Sequence, residues 1–154
     1  MSKKRWTAAD IAKLNLKTNI SPELHMDEAK LKYSNVKVTT DGHKFDSRIE
    51  SNFYGLLKIN KFEFTMKESF VIQEAFNYCG EPVREIKIVP DFIIKKKGRT
   101  IAIVDTKGMI TEMAKLKYKL FKYKIKDQVP IFMPKNNSET HIVINKLLYL
   151  RDLA

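Results

Sequence analysis

Asp91 and Asp105 stand on either side of a lysine-rich turn, and Lys107 lies two residues beyond the second acid. Asp91 follows Pro90, and Asp105 closes the apolar run Ile101 to Val104. If the chain reverses at Lys97-Gly98, both acids are about equally far from the turn. They then face one another across neighbouring strands. Opposed carboxylates repel, and a divalent cation removes that cost. Hard cations such as Mg2+ or Mn2+ take oxygen ligands of this kind, with water completing the shell. Positions i and i+2 of an extended strand share a face, so Lys107 is expected in the same pocket. An ammonium there orients or deprotonates an attacking water, or stabilises charge on a phosphorane-like transition state. Acid, acid and lysine on one face suit the hydrolysis of phosphodiesters. Each residue also has a plainer reading. Asp91 can be a strand-end acid paired with Arg84 or Lys87, and Asp105 can cap the turn at Gly108.

The elements that must position these residues follow from periodicity. Val36 and Val38 suggest a short strand, with Asp41-Gly42 as a turn. Phe45, Ile49, Phe53, Leu56 and Leu57 fall on one helical face, with Asp46 or Ser47 as N-cap and an end near Lys58. Lys61 to Phe64 and Ser69 to Gln73 read as strands, and Asn77 to Pro82 as a loop. Arg84 to Ile94, the turn Lys95 to Arg99, and Ile101 to Val104 form a hairpin whose second arm has the dense apolar character of a central strand. Thr111 to about Lys126 returns to helical spacing through Met113, Leu116, Leu120 and Phe121. Pro130 to Met133 and His141 to Ile144 read as strands, and Asn145 to Leu153 as a closing helix. The expected fold class is α/β, a mixed central sheet flanked by helices. Residues 1–30 read as an arm, with a short helix from Thr7 to about Lys17 and Trp6 as a docking residue. Residues 31–154 form the domain.

Composition narrows the function. The 154 residues are the size of one domain, and 44% apolar with 31% charged residues fits a globular chain. Lys and Arg number 29 against 18 Asp and Glu, a net charge of +11, which favours a polyanionic partner. Lys115, Lys119, Lys122 and Lys126 follow i, i+4, i+7 and i+11, one stripe of a helix. The stripe is either a solvated face or a ridge that tracks phosphates. Lys95, Lys96, Lys97 and Arg99 form a second, weaker candidate contact for phosphates. No run of about 18 apolar residues exists, so no membrane span is expected, and no signal peptide is read. Cys79, the single cysteine, excludes an intramolecular disulfide and fits a reducing, intracellular compartment. His25, His43 and His141 lack metal-ligand spacing, and no phosphate-binding glycine loop is present.

Val89-Pro90-Asp91-Phe92 followed by Val104-Asp105-Thr106-Lys107-Gly108 resembles the signature of the PD-(D/E)xK nuclease superfamily. Lys44-Phe45-Asp46-Ser47-Arg48-Ile49-Glu50 matches its upstream acidic helix. The chain is more closely similar to a small phage and prophage family within it, described as resolvase-like. That likeness rests on Lys32-Tyr33-Ser34-Asn35, Gly42-His43-Lys44-Phe45-Asp46-Ser47, Asp91-Phe92, Val104 to Gly108 and Thr111-Glu112, and covers about residues 32–125.

The resemblance implies a restriction-endonuclease-like core. It implies that Glu50, Asp91 and Asp105 bind Mg2+ or Mn2+, that Thr106 contributes its carbonyl, and that Lys107 is catalytic. It also implies a cytoplasmic phage or prophage protein of recombination or replication, with branched DNA such as a Holliday junction as substrate. A resolvase cuts two strands symmetrically and so acts as a homodimer; an exposed aromatic of the first core helix, such as Tyr54, would be a contact. Read locally, Ser47 to Glu50 is instead a capping box in which Glu50 bonds the helix start. Three rivals stand beside the resolvase. One is a nicking, flap or single-strand nuclease using the same site. Another is a non-catalytic DNA-binding or regulatory protein of the same fold. The last is a basic interaction module that recruits partners through its arm.

Overall fold

A computed structural model describes residues 37–106, 110–126 and 128–154. The expected helix over residues 7–17, Trp6, His25, the stretch 32–35 and Lys107 to Met109 lie outside the described residues.

The described chain opens with a hairpin. Strands β1 (Val38–Thr40) and β2 (His43–Phe45) pair antiparallel. Asp41 and Gly42 both take positive φ, 51° and 77°, as a tight two-residue hairpin turn requires. Helix α1 (Arg48–Ile59) follows at once. Ser47 is its N-cap, accepting the Glu50 N–H at 3.1 Å. Phe53 and Leu57 of the expected face are buried, but Ile49 and Leu56 are only half-buried, and Glu50 and Tyr54 complete the buried stripe.

The central sheet has four strands in the order β10-β9-β8-β3: β3 (Glu63–Met66), β8 (Phe92–Lys96), β9 (Arg99–Val104) and β10 (Ile131–Phe132). β3 and β9 both run antiparallel to β8, whereas β10 runs parallel to β9, so the sheet is mixed. The parallel pair requires a crossover, and helix α2 (Glu112–Ile125) supplies it. Helix α3 (Asn137–Leu153) ends the chain.

Side-chain alternation along β8 and β9 builds two cores. Phe92, Ile94, Ala102 and Val104 join Phe53, Leu57, Val143, Leu147 and Leu150, so α1 and α3 cover one face. Ile93 and Ile103 join Tyr118 and Phe121, so α2 covers the other. Phe53 and Phe92 are tilted rings 5.3 Å apart, and Tyr54 meets Phe64 edge-on at 5.7 Å. Burying each such side chain contributes about 1.5–3 kcal/mol.

Several expectations change. His141 to Ile144 is no strand, because it lies inside α3. Asn136 caps that helix, accepting the Glu139 N–H at 2.9 Å. Thr140, Val143, Ile144, Leu147 and Leu150 then fall on its buried side. The β-branched cluster around Val143 suggests a strand locally, but packing at helical period overrides propensity. Asn77 to Pro82 is not a loop. Strands β5 (Phe76–Tyr78) and β6 (Glu81–Val83) pair around a turn at Cys79-Gly80. Arg84 to Ile94 is not one arm: β7 (Ile86–Ile88) pairs with β4 (Phe70–Gln73) in a separate sheet, and β8 begins only after Pro90. Helix α2 lies where expected, but of its expected apolar residues only Phe121 is buried. Tyr118 and Phe121 point inward, and Met113, Leu116 and Leu120 are exposed. Tyr54, a candidate dimer contact, is 4% exposed and packed against Phe45 and Phe64, so it cannot serve an interface.

Candidate functional site

The β8–β9 register sets the site. Phe92 pairs with Val104, so the next step outward places Asp91 opposite Asp105. Alternation turns both acids to the face of Ile93 and Ile103, the side covered by α2. The main chain is held at this end from two sides. The Lys67 N–H donates to the Asp91 carbonyl at 3.1 Å, and the Asp105 N–H donates to the Phe132 carbonyl at 3.0 Å.

Asp91 is half-buried. Asp105 is fully buried. Burial and the neighbouring Asp105 charge push the Asp91 carboxyl up to about 6, and Glu50 adds to the rise. Thr106 acts the other way. Its N–H and its hydroxyl each donate to Asp91 Oδ2 at 2.7 Å, and such bonds favour the charged form. Asp91 therefore leans on Thr106, and Lys87, its alternative partner, pairs with Glu85.

Glu50 comes from the first turn of α1 and is 3% exposed. Its Oε2 accepts the Asp46 N–H at 2.9 Å, one residue before the N-cap. The capping reading thus holds for this oxygen in a shifted form. Oε1 is buried and takes no hydrogen bond among the described residues. It lies 3.4 Å from the Lys67 ammonium, which is also 3.6 Å from Asp46 Oδ2. Partial burial acts to lower the Lys67 pKa, but Glu50, Asp46 and Asp91 together raise it.

Two residues of the pocket escaped the sequence reading. Lys67 is one; it sits in a turn between strands with no motif around it. Tyr118 is the other. Its hydroxyl is buried beside Asp105. Burial, hydrogen bonding with Asp105 and the charges of Asp105 and Asp91 hold it far above the usual phenol range. A tyrosine in a lysine-rich helix gives no local signal that it faces inward.

The basic residues divide by place. Lys97 and Gly98 form the turn of the β8–β9 hairpin, at the end of the strands remote from the acids. Asp91 and Lys97 are separated by roughly 20 Å along an extended strand. Lys95 pairs with Glu68 at 2.9 Å, and Lys96 donates to the Arg151 carbonyl. Arg99 is exposed. On α2, Lys115, Lys119, Lys122 and Lys126 are all exposed, and Lys115 pairs with Glu112 at 2.5 Å. Tyr118 of the same helix lies beside Asp105. A shallow groove of about 660 Å³ lined by His43, Tyr54, Lys58, Phe62 and Phe64 contains none of the three acids.

A family model described as a protein of unknown function, DUF1064, matches residues 30–138. The chain belongs to this family. The DUF1064 match spans Glu50, Asp91, Asp105 and Lys107 together with all of α2, and stops at the start of α3. No curated protein and no solved structure matches the chain.

The donor set has the chemistry of a hard cation site: oxygen donors, partly desolvated, with mutual repulsion left over. Its reach is limited, because no three acidic, histidine or cysteine groups among the described residues converge on one point. Asp91 and Asp105 are the pair that could hold such a cation, with Glu50 as a further oxygen donor. Among the described residues, no helix is long and apolar enough to cross a membrane.

Proposed function

We propose that this DUF1064 chain is a Mg2+- or Mn2+-dependent endodeoxyribonuclease with a PD-(D/E)xK-type core, acting on branched DNA in the manner of a Holliday-junction resolvase. The observation that carries this reading is the opposition of Asp91 and Asp105 at the end of β8 and β9, with the Asp91 carboxyl raised to about 6. A half-buried and a fully buried acid held face to face repel one another, and a cation would offset that cost.

Asp91 and Asp105 would hold the cation together with Glu50. Thr106 fixes the Asp91 carboxylate by its two hydrogen bonds, and its carbonyl is a further candidate ligand. When bound, a divalent cation neutralises phosphate charge and lowers the pKa of a bound water. Lys107 is assigned to orient that water for in-line attack, or to offset charge on the phosphorane-like transition state. The lysines of α2 are assigned to phosphates flanking the scissile bond. Symmetric cutting of a junction would require a homodimer.

The spread of the acids favours one second reading, a DNA-binding protein that keeps the fold without catalysis. Cleavage of a labelled four-way junction with Mg2+ or Mn2+ separates the two. Wild type, Asp105→Ala and Lys107→Ala are compared, with flap, nicked and single-stranded DNA as controls. Paired symmetric nicks lost in both variants support the resolvase. Cleavage of the controls alone reassigns the substrate to a flap, nicked or single strand. Binding without cleavage of any of them overturns the nuclease.

A further inference from the structure

Glu50 poses a charge problem that Lys67 solves. A carboxylate 3% exposed needs a counter-charge, since an isolated buried anion is costly. Oε2 is satisfied by the Asp46 N–H, so the demand falls on Oε1. The Lys67 ammonium stands 3.4 Å from that atom. Its main chain is pinned to Asp91 at the end of β3 and takes φ 54°, a left-handed conformation that disfavours lysine. The backbone thus holds this lysine at the mouth of the acidic pocket.

A dication reaching Oε1 would arrive within a few ångströms of the ammonium. Two positive centres at that range repel strongly in a partly desolvated pocket. One must leave. Glu50 is locked in the first turn of α1, but the Lys67 side chain is 42% exposed and can swing its head into water.

We propose that Lys67 is the resident counter-ion of Glu50 and competes with the divalent cation for that acid, so that the Lys67–Glu50 pair and the fully metal-loaded site exclude one another. The inference rests on the metal-dependent reading above. It makes Lys67 a positioning residue that sets how much cation the site needs before Glu50 is released to it.

The test is calorimetric titration of Mg2+ alone into the full chain, as wild type, Lys67→Met, Lys67→Arg, Glu50→Gln and the Lys67→Met/Glu50→Gln double variant. Methionine keeps the unbranched apolar stem, so the backbone at Lys67 is no more strained than before. Lys67→Met is expected to bind Mg2+ about threefold or more tightly than wild type. Lys67→Arg is expected to match wild type, and the gain is expected to vanish in the Glu50→Gln background. Equal or weaker binding by Lys67→Met, or a gain that survives Glu50→Gln, overturns the proposal and leaves the metal site standing. Absence of Mg2+ binding in wild type and Lys67→Met alike overturns both. A second readout uses wild type only. The Lys67 side-chain carbon resonances are expected to move to free-lysine values as Mg2+ saturates the site, and resonances that stay fixed overturn the competition.

Discussion

Thr106 donates its main-chain N–H and its hydroxyl to the same oxygen of Asp91, each at 2.7 Å. One residue next to Asp105 thereby orients the acid on the neighbouring strand, and couples both strand ends into one unit. Thr106→Val keeps the shape and the N–H bond but loses the hydroxyl bond to a charged group, a cost of about 1.5–3 kcal/mol. Mg2+ affinity is expected to fall about tenfold, the usual effect of losing a partner that orients a ligand, while Thr106→Ser stays near wild type. Calorimetry on the three proteins checks this, and equal affinities would show that Asp91 needs no such support.

The raised Asp91 pKa fixes a pH dependence. An ordinary aspartate titrates near 4, and here burial and Asp105 bring the folded value to about 6. The folded state therefore binds the proton more tightly than the unfolded chain. That stabilisation is full below about pH 4 and is lost as pH rises through about 6. In metal-free buffer, Asp91→Asn is expected to be more stable than wild type at pH 8, by on the order of 1–3 kcal/mol. The two should converge at pH 4. Urea melts at both pH values decide it; a wild type that gains stability between pH 4 and 8 relative to Asp91→Asn would reverse the sign.

The lysines on α2 make a different kind of prediction. Each lysine that neutralises a DNA phosphate contributes about 0.9 to the slope of log affinity against log salt. Removing Lys115, Lys119, Lys122 and Lys126 by alanine substitution should flatten that slope and weaken binding for all DNA sequences alike. Changing Lys97 and Arg99 at the far hairpin tip should do less. Fluorescence anisotropy across a salt series reads both, and equal effects at the two places would remove the special role of α2.

Helix α3 offers a packing test. Leu147 is fully buried between α3 and the sheet, and Leu147→Ala is expected to cost about 2–5 kcal/mol. Ile142, 41% exposed on the opposite side, should tolerate alanine within about 0.5 kcal/mol. Denaturant melts of both variants check this, and equal costs at Leu147 and Ile142 would overturn the packing described for α3.

The sequence carried the central hairpin because its signals are local. A lysine-glycine turn flanked by apolar runs marks the hairpin, but the turn alone would set Asp91 opposite Val104; the irregularity between Ile94 and Lys95 shifts the register by one and opposes Asp91 to Asp105. Helix α1 was equally open, since Ser47 and the stripe Phe53 to Leu57 agree with each other. Glu50 was more ambiguous, and its two oxygens explain why: one serves the helix start and the other the pocket. What stayed hidden depends on distant partners. Tyr118 faces inward only because Ile93 and Ile103 wait there. Lys67 reaches Glu50 only because β3 pairs with β8. The residues of α3 that suggest a strand form a helix because the sheet offers a face to cover.

The crossover between Val104 and Ile131 has a consequence for assembly in time. The β8–β9 pair closes over a two-residue turn, whereas β10 docks on β9 only after α2 has spanned the sheet. Loop-closure entropy makes the short contact the early one and the long contact the late one. The two opposed acids ride on the early hairpin. Their repulsion is thus present from the first stages of folding, before Phe132 anchors Asp105 or α2 seals the pocket, and a divalent cation in the refolding buffer should speed the chain as well as stabilise it.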